Sequence, residues 1–397
     1  MDAAEENLLE GIRVLDLSRM LAGPYGSMLL ADMGAEVVKI EIPGRGDPIR
    51  AMGPPFQEGE SAYFLGINRN KRSVSLDLHQ DRGRDLFLEL VAKSDVVFDN
   101  FRPGVMHRLR LEHSDLVRVK PDIITCSITA FGPDGPYADQ PAFDLTLQAL
   151  GGGMSLTGHP GGSPARMGLP IGDLGGGMFA AQAISAALFR RERTGLGRHI
   201  DLALLDIQVS LLTYVAQYHF ADGRVPRLMG TGHESVVPYQ SFDTATGQIV
   251  VAVFVNDFWR GLCEVLDLEH LYEKYPSALE RLTVRELIVD EVASRLLTRP
   301  AEHWIEKLWA RGVPSAPVQN IDEVLRDPQV LHRDMVVQTR PHPLVGEYTT
   351  LGNPVKVGQD QTFEPAPLLG EGNRDYLVEL LGHDPSELEQ WSADGLV

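Results

Sequence analysis

The sequence predicts an α/β protein, with a Rossmann-like domain on a parallel sheet joined to a smaller α/β domain. Three observations lead there. Over residues 11–128, short aliphatic runs alternate with glycine turns and helical stretches, the pattern of βαβ units. At 397 residues the chain exceeds the size at which one hydrophobic core stops growing. Residues 222–238 then shift to Gly, Arg and Pro, which marks a domain boundary.

Residues 11–18, Gly-Ile-Arg-Val-Leu-Asp-Leu-Ser, read as a buried strand between two breakers. Residues 22–26 form a turn and helix start, and residues 27–33 are helical, stopping at Gly34. A second strand covers 35–41. The cycle repeats with a strand at 72–77, a helix at 82–93, and strands at 95–99 and 123–128. Residues 131–177, dense in Gly and Pro, read as a long loop, and such loops in α/β enzymes are usually functional. An Ala-rich helix is expected over 178–191, and residues 199–218 begin as a strand or pass directly into a helix. Beyond the boundary, 239–254 has hairpin character with its turn at 242–247. Helices dominate 256–311, residues 313–318 form a return strand, and 373–381 a final helix.

Composition narrows the function. A chain that is 43% hydrophobic and 23% charged is ordinary for a folded enzyme, and no window approaches a membrane span. The net charge of −19 argues against nucleic acid or anionic membrane as partners. The acidic N-terminus lacks the features of a secretory or mitochondrial leader, so a cytoplasmic location is expected. Cys126 and Cys263 sit in apolar surroundings and read as buried structural thiols. No dinucleotide fingerprint, phosphate loop, serine elbow or metal-spaced histidine set occurs, so neither a prosthetic group nor a metal is expected.

One run is chemically suggestive. In Gly-Leu-Pro-Ile-Gly-Asp-Leu-Gly-Gly-Gly (168–177), Asp173 precedes three glycines and the Ala-rich helix. Glycines there would let a substrate approach bare backbone N–H groups, and a helix N-terminus favours a developing oxyanion. A carboxylate in that setting can attack a thioester carbonyl and form a mixed anhydride. The same pattern fits Asp173 as a plain N-cap equally well.

Taken in order, several segments resemble the family III CoA-transferases, the CaiB/BaiF family that includes formyl-CoA-transferase-like enzymes. They are the first strand with Ala-Gly-Pro (11–24) and Gly-Ala-Glu-Val-Val-Lys-Ile-Glu (34–41). Asn-Lys-Arg-Ser-Val-Ser-Leu-Asp-Leu (70–78), Asn-Phe-Arg-Pro-Gly (100–104) and Gly-Asp-Leu-Gly-Gly-Gly (172–177) continue the match. Arg-Thr-Gly-Leu-Gly-Arg (193–198) and Ala-Pro-Leu-Leu-Gly-Glu (366–371) complete it. The resemblance implies that Asp173 is the catalytic nucleophile, carrying first an acyl anhydride and then a CoA thioester. Coenzyme A and acyl-CoA enter as substrates.

It further implies that Asn100, Phe101, Val105 and Arg108 hold the CoA nucleotide and pantetheine, with Met20 and Leu76 lining the path. Arg102 and Arg108 suit charge-assisted bonds to phosphate, although Arg102 also reads as an ordinary surface arginine. Ile42 stands where relatives can carry an arginine, and Arg45 is a possible substitute. Related racemases use a histidine base where Phe143 stands here, which favours transfer over racemisation. Asp144 matches an acidic position beside the nucleophile. The segment 230–239 resembles members that use succinyl-CoA and small dicarboxylic acids. Gly230 and Gly232 are expected in a mobile loop, and His233 reads as either a substrate contact or a structural loop residue. Arg19 and Arg166 are candidate cations for a distal carboxylate.

The resemblance also implies a ring-shaped chain in an interlocked homodimer. It places the large domain at residues 1–222, the small domain at 223–325, and completion of the large domain at 326–397. The alternatives are an acyl-CoA racemase or isomerase, and a non-catalytic acyl-CoA-binding subunit.

Overall fold

A computed structural model describes residues 7–356 and 362–397. Six parallel strands build the main sheet: β1 (Arg13–Asp16), β2 (Glu36–Glu41), β3 (Lys71–Ser75), β4 (Val96–Asp99), β5 (Ile124–Thr129) and β6 (Arg198–Ala203). Their order is β3-β2-β1-β4-β5-β6. The chain therefore winds outward one way from β1 and then the other way from β4, as in doubly wound dinucleotide-binding folds. The expected Rossmann-like sheet is present.

Alternation along each strand sends neighbouring side chains to opposite faces. Leu15, Val38, Val74 and Val97 face a core with Leu86, Phe87 and Leu90 of helix α2 (Asp81–Ala92). Val14, Val37, Val96 and Phe98 face the other core, against helix α1 (Ala22–Asp32) and a long later helix. Helix α1 begins five residues earlier than the sequence suggests. Pro24 sits in its first turn, where its missing N–H needs no partner.

The region expected as loop holds helix α4 (Asp144–Leu150) and the start of helix α5 (Ile171–Thr194), with the short α3 (Val105–Leu109) preceding both. Helix α6 (Leu204–Ser210) follows β6 directly. Helix α5 starts seven residues before the sequence-based boundary and takes in Asp173 and the glycine triplet. Packing explains it. A Cβ on Gly177 would lie 2.7 Å from the Ala22 carbonyl and 2.8 Å from the Gly26 nitrogen, so α1 and α5 touch backbone to backbone. A Cβ on Gly176 would meet Leu204 at 2.6 Å, and one on Gly175 would meet Ile207 at 3.0 Å. Tertiary contact overrides the poor helix propensity of glycine here.

The chain divides into two compact units. The first comprises Met1–Gly153, Arg166–Phe220 and Gln329–Val397; the second comprises Met154–Ala165 and Ala221–Pro328. In the first, the C-terminal segment returns to the edge of β3. Asn373 Oδ1 accepts the Ser75 N–H at 2.9 Å, and the Gly372 N–H donates to the Ser73 carbonyl at 2.8 Å. The expected final helix is wound as a π-helix over Arg374–Leu380. In the second unit, β7 (Tyr239–Asp243) and β8 (Gln248–Ala252) form the expected hairpin, and β9 (Ser315–Pro317) pairs antiparallel with β8. Trp259, Leu262, Ile288, Val292 and Trp304 fill its core. Cys126 and Cys263 are buried free thiols. Among the described residues no helix is long and apolar enough to cross a membrane.

Candidate active site

In open α/β sheets, ligands bind beyond the carboxyl ends of the strands, where the strand order reverses. The first unit has a cavity of about 710 Å³ at that place. Its wall comes from the segments leaving the six strands: residues 17–22 after β1, 40–42 at β2, 76–79 after β3, 100–109 after β4, 128–130 at β5, and Leu204 after β6. Residues 138–144 and Asp173 close it.

The topology thus brings Asp173, Asp144, Arg19, Met20, Leu76, Asn100, Phe101, Arg102, Val105 and Arg108 to one cavity. Phe143 and Ile42 line it as well, with the Phe143 ring 72% exposed. Arg45 and Arg166 are exposed and do not line it. Gly230, Gly232 and His233 belong to the second unit. There Gly230 takes a φ of +62° and its N–H donates to the Gly158 carbonyl at 2.8 Å. The His233 ring packs edge-on against Tyr239, centroids 5.4 Å apart.

Asp173 lies in the first turn of α5, and Pro170 occupies the N-cap position without a side-chain bond. Asp173 is therefore not the cap. That task falls to Asp144 from another helix: its Oδ1 accepts the N–H of Gly172 at 2.8 Å and of Asp173 at 3.3 Å. Gln148 in turn donates from Nε2 to Asp144 Oδ2 at 2.6 Å and accepts the Met167 N–H at 2.9 Å. Two sequence-based expectations are corrected by this. The glycine triplet serves helix packing rather than substrate approach, and the leading N–H groups of α5 are already taken by Asp144. Gly172 leaves room for these side chains: a Cβ there would lie 2.5 Å from Gln208 Nε2 and 2.8 Å from Asp144 Oδ1, so both would have to shift.

Burial and the adjacent Asp144 charge push the Asp173 carboxyl up to about 7. Burial, with the charges of Asp173 and Asp47, likewise pushes the Tyr63 phenol up to about 12. A carboxylate of that basicity is a stronger nucleophile than a solvated one, yet about half ionised at neutral pH.

Strands β1, β2 and β3 also carry a buried charge network that sequence reasoning missed. Lys39 of β2 and Lys71 of β3 are fully buried. Lys39 Nζ lies 2.9 Å from Asp47 Oδ2 and donates to the Ser18 carbonyl at 2.8 Å. Lys71 Nζ lies 3.2 Å from Asp16 Oδ2, which also accepts from Ser27 Oγ at 2.5 Å. Burial alone would raise Asp16; Lys71, Lys39, Ser18 and Ser27 outweigh it and hold the carboxyl at about 2. Burial presses Lys71 down to about 8 against the pull of Asp16. A charge in an apolar strand was the available signal. Its partners lie too far along the chain to be read from spacing.

Among the described residues no group of three or more His, Cys, Asp or Glu is placed to hold a metal. The chain matches the model of CoA-transferase family III over residues 9–373. It is 38% identical to a mouse (Mus musculus) succinyl-CoA:glutarate CoA-transferase over 98% of this chain and 90% of that protein. It is 40% identical to a succinyl-CoA:mesaconate CoA-transferase of Haloarcula hispanica over 94% of this chain and 96% of that one. A CaiB/BaiF family crystal structure from Brucella suis superposes with a TM-score of 0.83 at 33% identity, covering 94% of this chain and 100% of that one. The chain belongs to CoA-transferase family III, and its substrates are CoA thioesters and the acids that exchange them.

Proposed function

We propose that the protein transfers CoA from succinyl-CoA, or a similar dicarboxylic thioester, to a small dicarboxylic acid by way of Asp173. The observation that carries this reading is the placement of the raised-pKa Asp173 carboxyl in the same cavity as Arg102, Arg108 and Phe101. The names of the related transferases, which pair succinyl-CoA with glutarate or mesaconate, support the substrate class.

In this mechanism an Asp173 carboxylate oxygen attacks the donor thioester carbonyl. The C–S bond breaks, CoA leaves as thiolate, and an aspartyl anhydride remains. The thiolate then attacks the Asp173 carbonyl carbon and expels the donor acid, giving an aspartyl-CoA thioester. The acceptor carboxylate attacks that thioester, its C–S bond breaks to release CoA thiolate, and a second anhydride forms. Attack of CoA thiolate on the acceptor carbonyl releases the new CoA ester and restores Asp173. Each step conserves the activated acyl bond, so no nucleotide is consumed. Arg102 and Arg108 serve the CoA phosphates, Met20, Leu76, Phe101 and Val105 pack along the pantetheine, and Asp144 fixes the nucleophile's turn. Two copies of the chain form the working homodimer; sedimentation of the purified protein as a monomer would contradict that part.

The test is an acceptor screen with succinyl-CoA, followed by chromatography of CoA esters, for the wild type and Asp173→Asn. Transfer to dicarboxylic acids by the wild type alone is expected. A fully active Asp173→Asn variant would contradict the mechanism. Deuterium incorporation at the α-carbon without any acceptor would point instead to racemase chemistry.

A further inference from the structure

At the topological switch point the loops leaving β1 and β4 are tied together by one side chain. Asn100 Oδ1 accepts the Arg19 N–H at 2.8 Å, and Asn100 Nδ2 donates to the Arg19 carbonyl at 2.7 Å. Each end of the amide is thus engaged with the backbone of a single residue. Gly23, in the first turn of α1, lies close to the clasp: a Cβ there would fall 2.2 Å from Ser18 Cβ and 3.5 Å from Asn100 Cγ.

The backbone that Asn100 grips is strained. Met20, the next residue, takes a left-handed φ of +67°, which non-glycine residues adopt only when surroundings enforce it. Three groups do so. Asn100 holds Arg19, Asp47 Oδ1 accepts the Met20 N–H at 3.2 Å, and Lys39 Nζ holds the Ser18 carbonyl at 2.8 Å. From below, Asp99 accepts the Phe101 N–H at 3.1 Å and the Ser127 hydroxyl at 2.6 Å, which anchors the β4 side.

The result of these bonds is the pose of one cation. The Arg19 guanidinium carbon stands 4.8 Å from the centroid of the Phe101 ring, on the wall of the cavity. Arg19 forms no ion pair of its own among the described residues, whereas the buried cations Lys39 and Lys71 are paired. A preset guanidinium over an aromatic face suits an anionic oxygen of an entering ligand.

We propose that Asn100 is a positioning residue that acts through Arg19: its amide locks the strained β1 loop so that the Arg19 guanidinium meets an anionic oxygen of the bound CoA ester. This rests on the reading that CoA occupies the cavity. The anion is either a CoA phosphate or the distal carboxylate of a dicarboxylic acyl group.

The test is a double-mutant cycle on the full-length protein. Asn100→Ala and Arg19→Ala are made singly and together; Kd for free CoA is measured by calorimetry, and kcat and KM for succinyl-CoA by turnover. Each single variant is expected to raise KM for succinyl-CoA about tenfold with kcat changed less than threefold, as expected for lost binding contacts. In the Arg19→Ala background the Asn100 effect should shrink to about twofold or less, the signature of coupled residues. An equal rise in Kd for free CoA assigns the anion to the phosphates; a rise confined to succinyl-CoA assigns it to the distal carboxylate. Asn100→Asp, which keeps the acceptor for the Arg19 N–H but loses the donor to its carbonyl, covers the case of a misfolded alanine variant and should also raise KM. Independent, multiplying effects, or wild-type KM in Asn100→Asp, would overturn the proposal. If Arg108→Ala also leaves CoA affinity unchanged, CoA does not occupy this cavity, and the underlying reading fails with it.

Discussion

Replacing Asp173 with Asn should abolish transfer and at the same time make the protein more stable. Burial and the Asp144 charge lift the Asp173 carboxyl from 3.8 to about 7. The folded state therefore keeps this proton in a range where the unfolded chain has lost it. The stabilising contribution is complete below pH 3.8 and is lost as pH rises through 7. A shift of roughly three units, at about 1.36 kcal/mol each, sets a ceiling of about 4 kcal/mol for the penalty that an ionised Asp173 imposes above pH 7. Partial contact with solvent lowers this to roughly 1–3 kcal/mol. At about pH 5 the same linkage leaves less than half of it. Asn is neutral at every pH and escapes the penalty. With roughly 2–4 °C per kcal/mol for a large domain, the variant should melt several degrees above the wild type at about pH 8.5 and by clearly less at about pH 5. Thermal melts of both proteins at the two pH values decide the matter. A variant that melts at or below the wild type at the higher pH would refute the reasoning, as would a difference that does not change with pH.

Other consequences follow from the same geometry. In the proposed mechanism Asp173 attacks as the carboxylate, so kcat/KM for the acyl-CoA donor should fall about tenfold per pH unit below about pH 7, measured as initial rates across pH. Gly177→Ala should destabilise by roughly 1–3 kcal/mol, because its Cβ meets backbone atoms of α1 that cannot give way. Gly66→Ala, where nothing lies within 4 Å, should cost nothing in the same melts. Lys71→Met leaves Asp16 buried beside one lysine fewer and should cost roughly 3–5 kcal/mol in stability, read from the shift in the unfolding transition.

Much of the sheet was legible in the sequence, because β-branched runs bounded by glycines mark buried strands whatever surrounds them. The start of α5 was not. Gly175, Gly176 and Gly177 argue locally for a loop, and only the close approach of α1 and α6 turns them into helix. Asp173 drew attention as a carboxylate beside glycines, but the physical setting that marks it lies elsewhere in the chain. Asp144, 29 residues away in sequence, caps the helix and adds to the rise in the carboxyl's pKa that burial mainly causes. The cavity itself is a product of topology, with walls from the ends of six strands that only the strand order brings together. Asn100 was marked by family resemblance as a CoA contact. Its grip on the Arg19 backbone depends on a loop 81 residues earlier and leaves no trace in local pattern.

The central claim is that Asp173 becomes covalently part of the reaction path, and isotope transfer tests it directly. In the proposed sequence the bridging oxygen of the acceptor anhydride stays with Asp173 when CoA attacks the acceptor carbonyl. Turnover with succinyl-CoA and an acceptor acid labelled with heavy oxygen should therefore deposit label in the enzyme. Mass spectrometry of the peptide bearing Asp173 should show the mass gain on that residue, dependent on both substrates. A labelled product with an unlabelled Asp173 peptide, or label on a different carboxylate, would contradict the account.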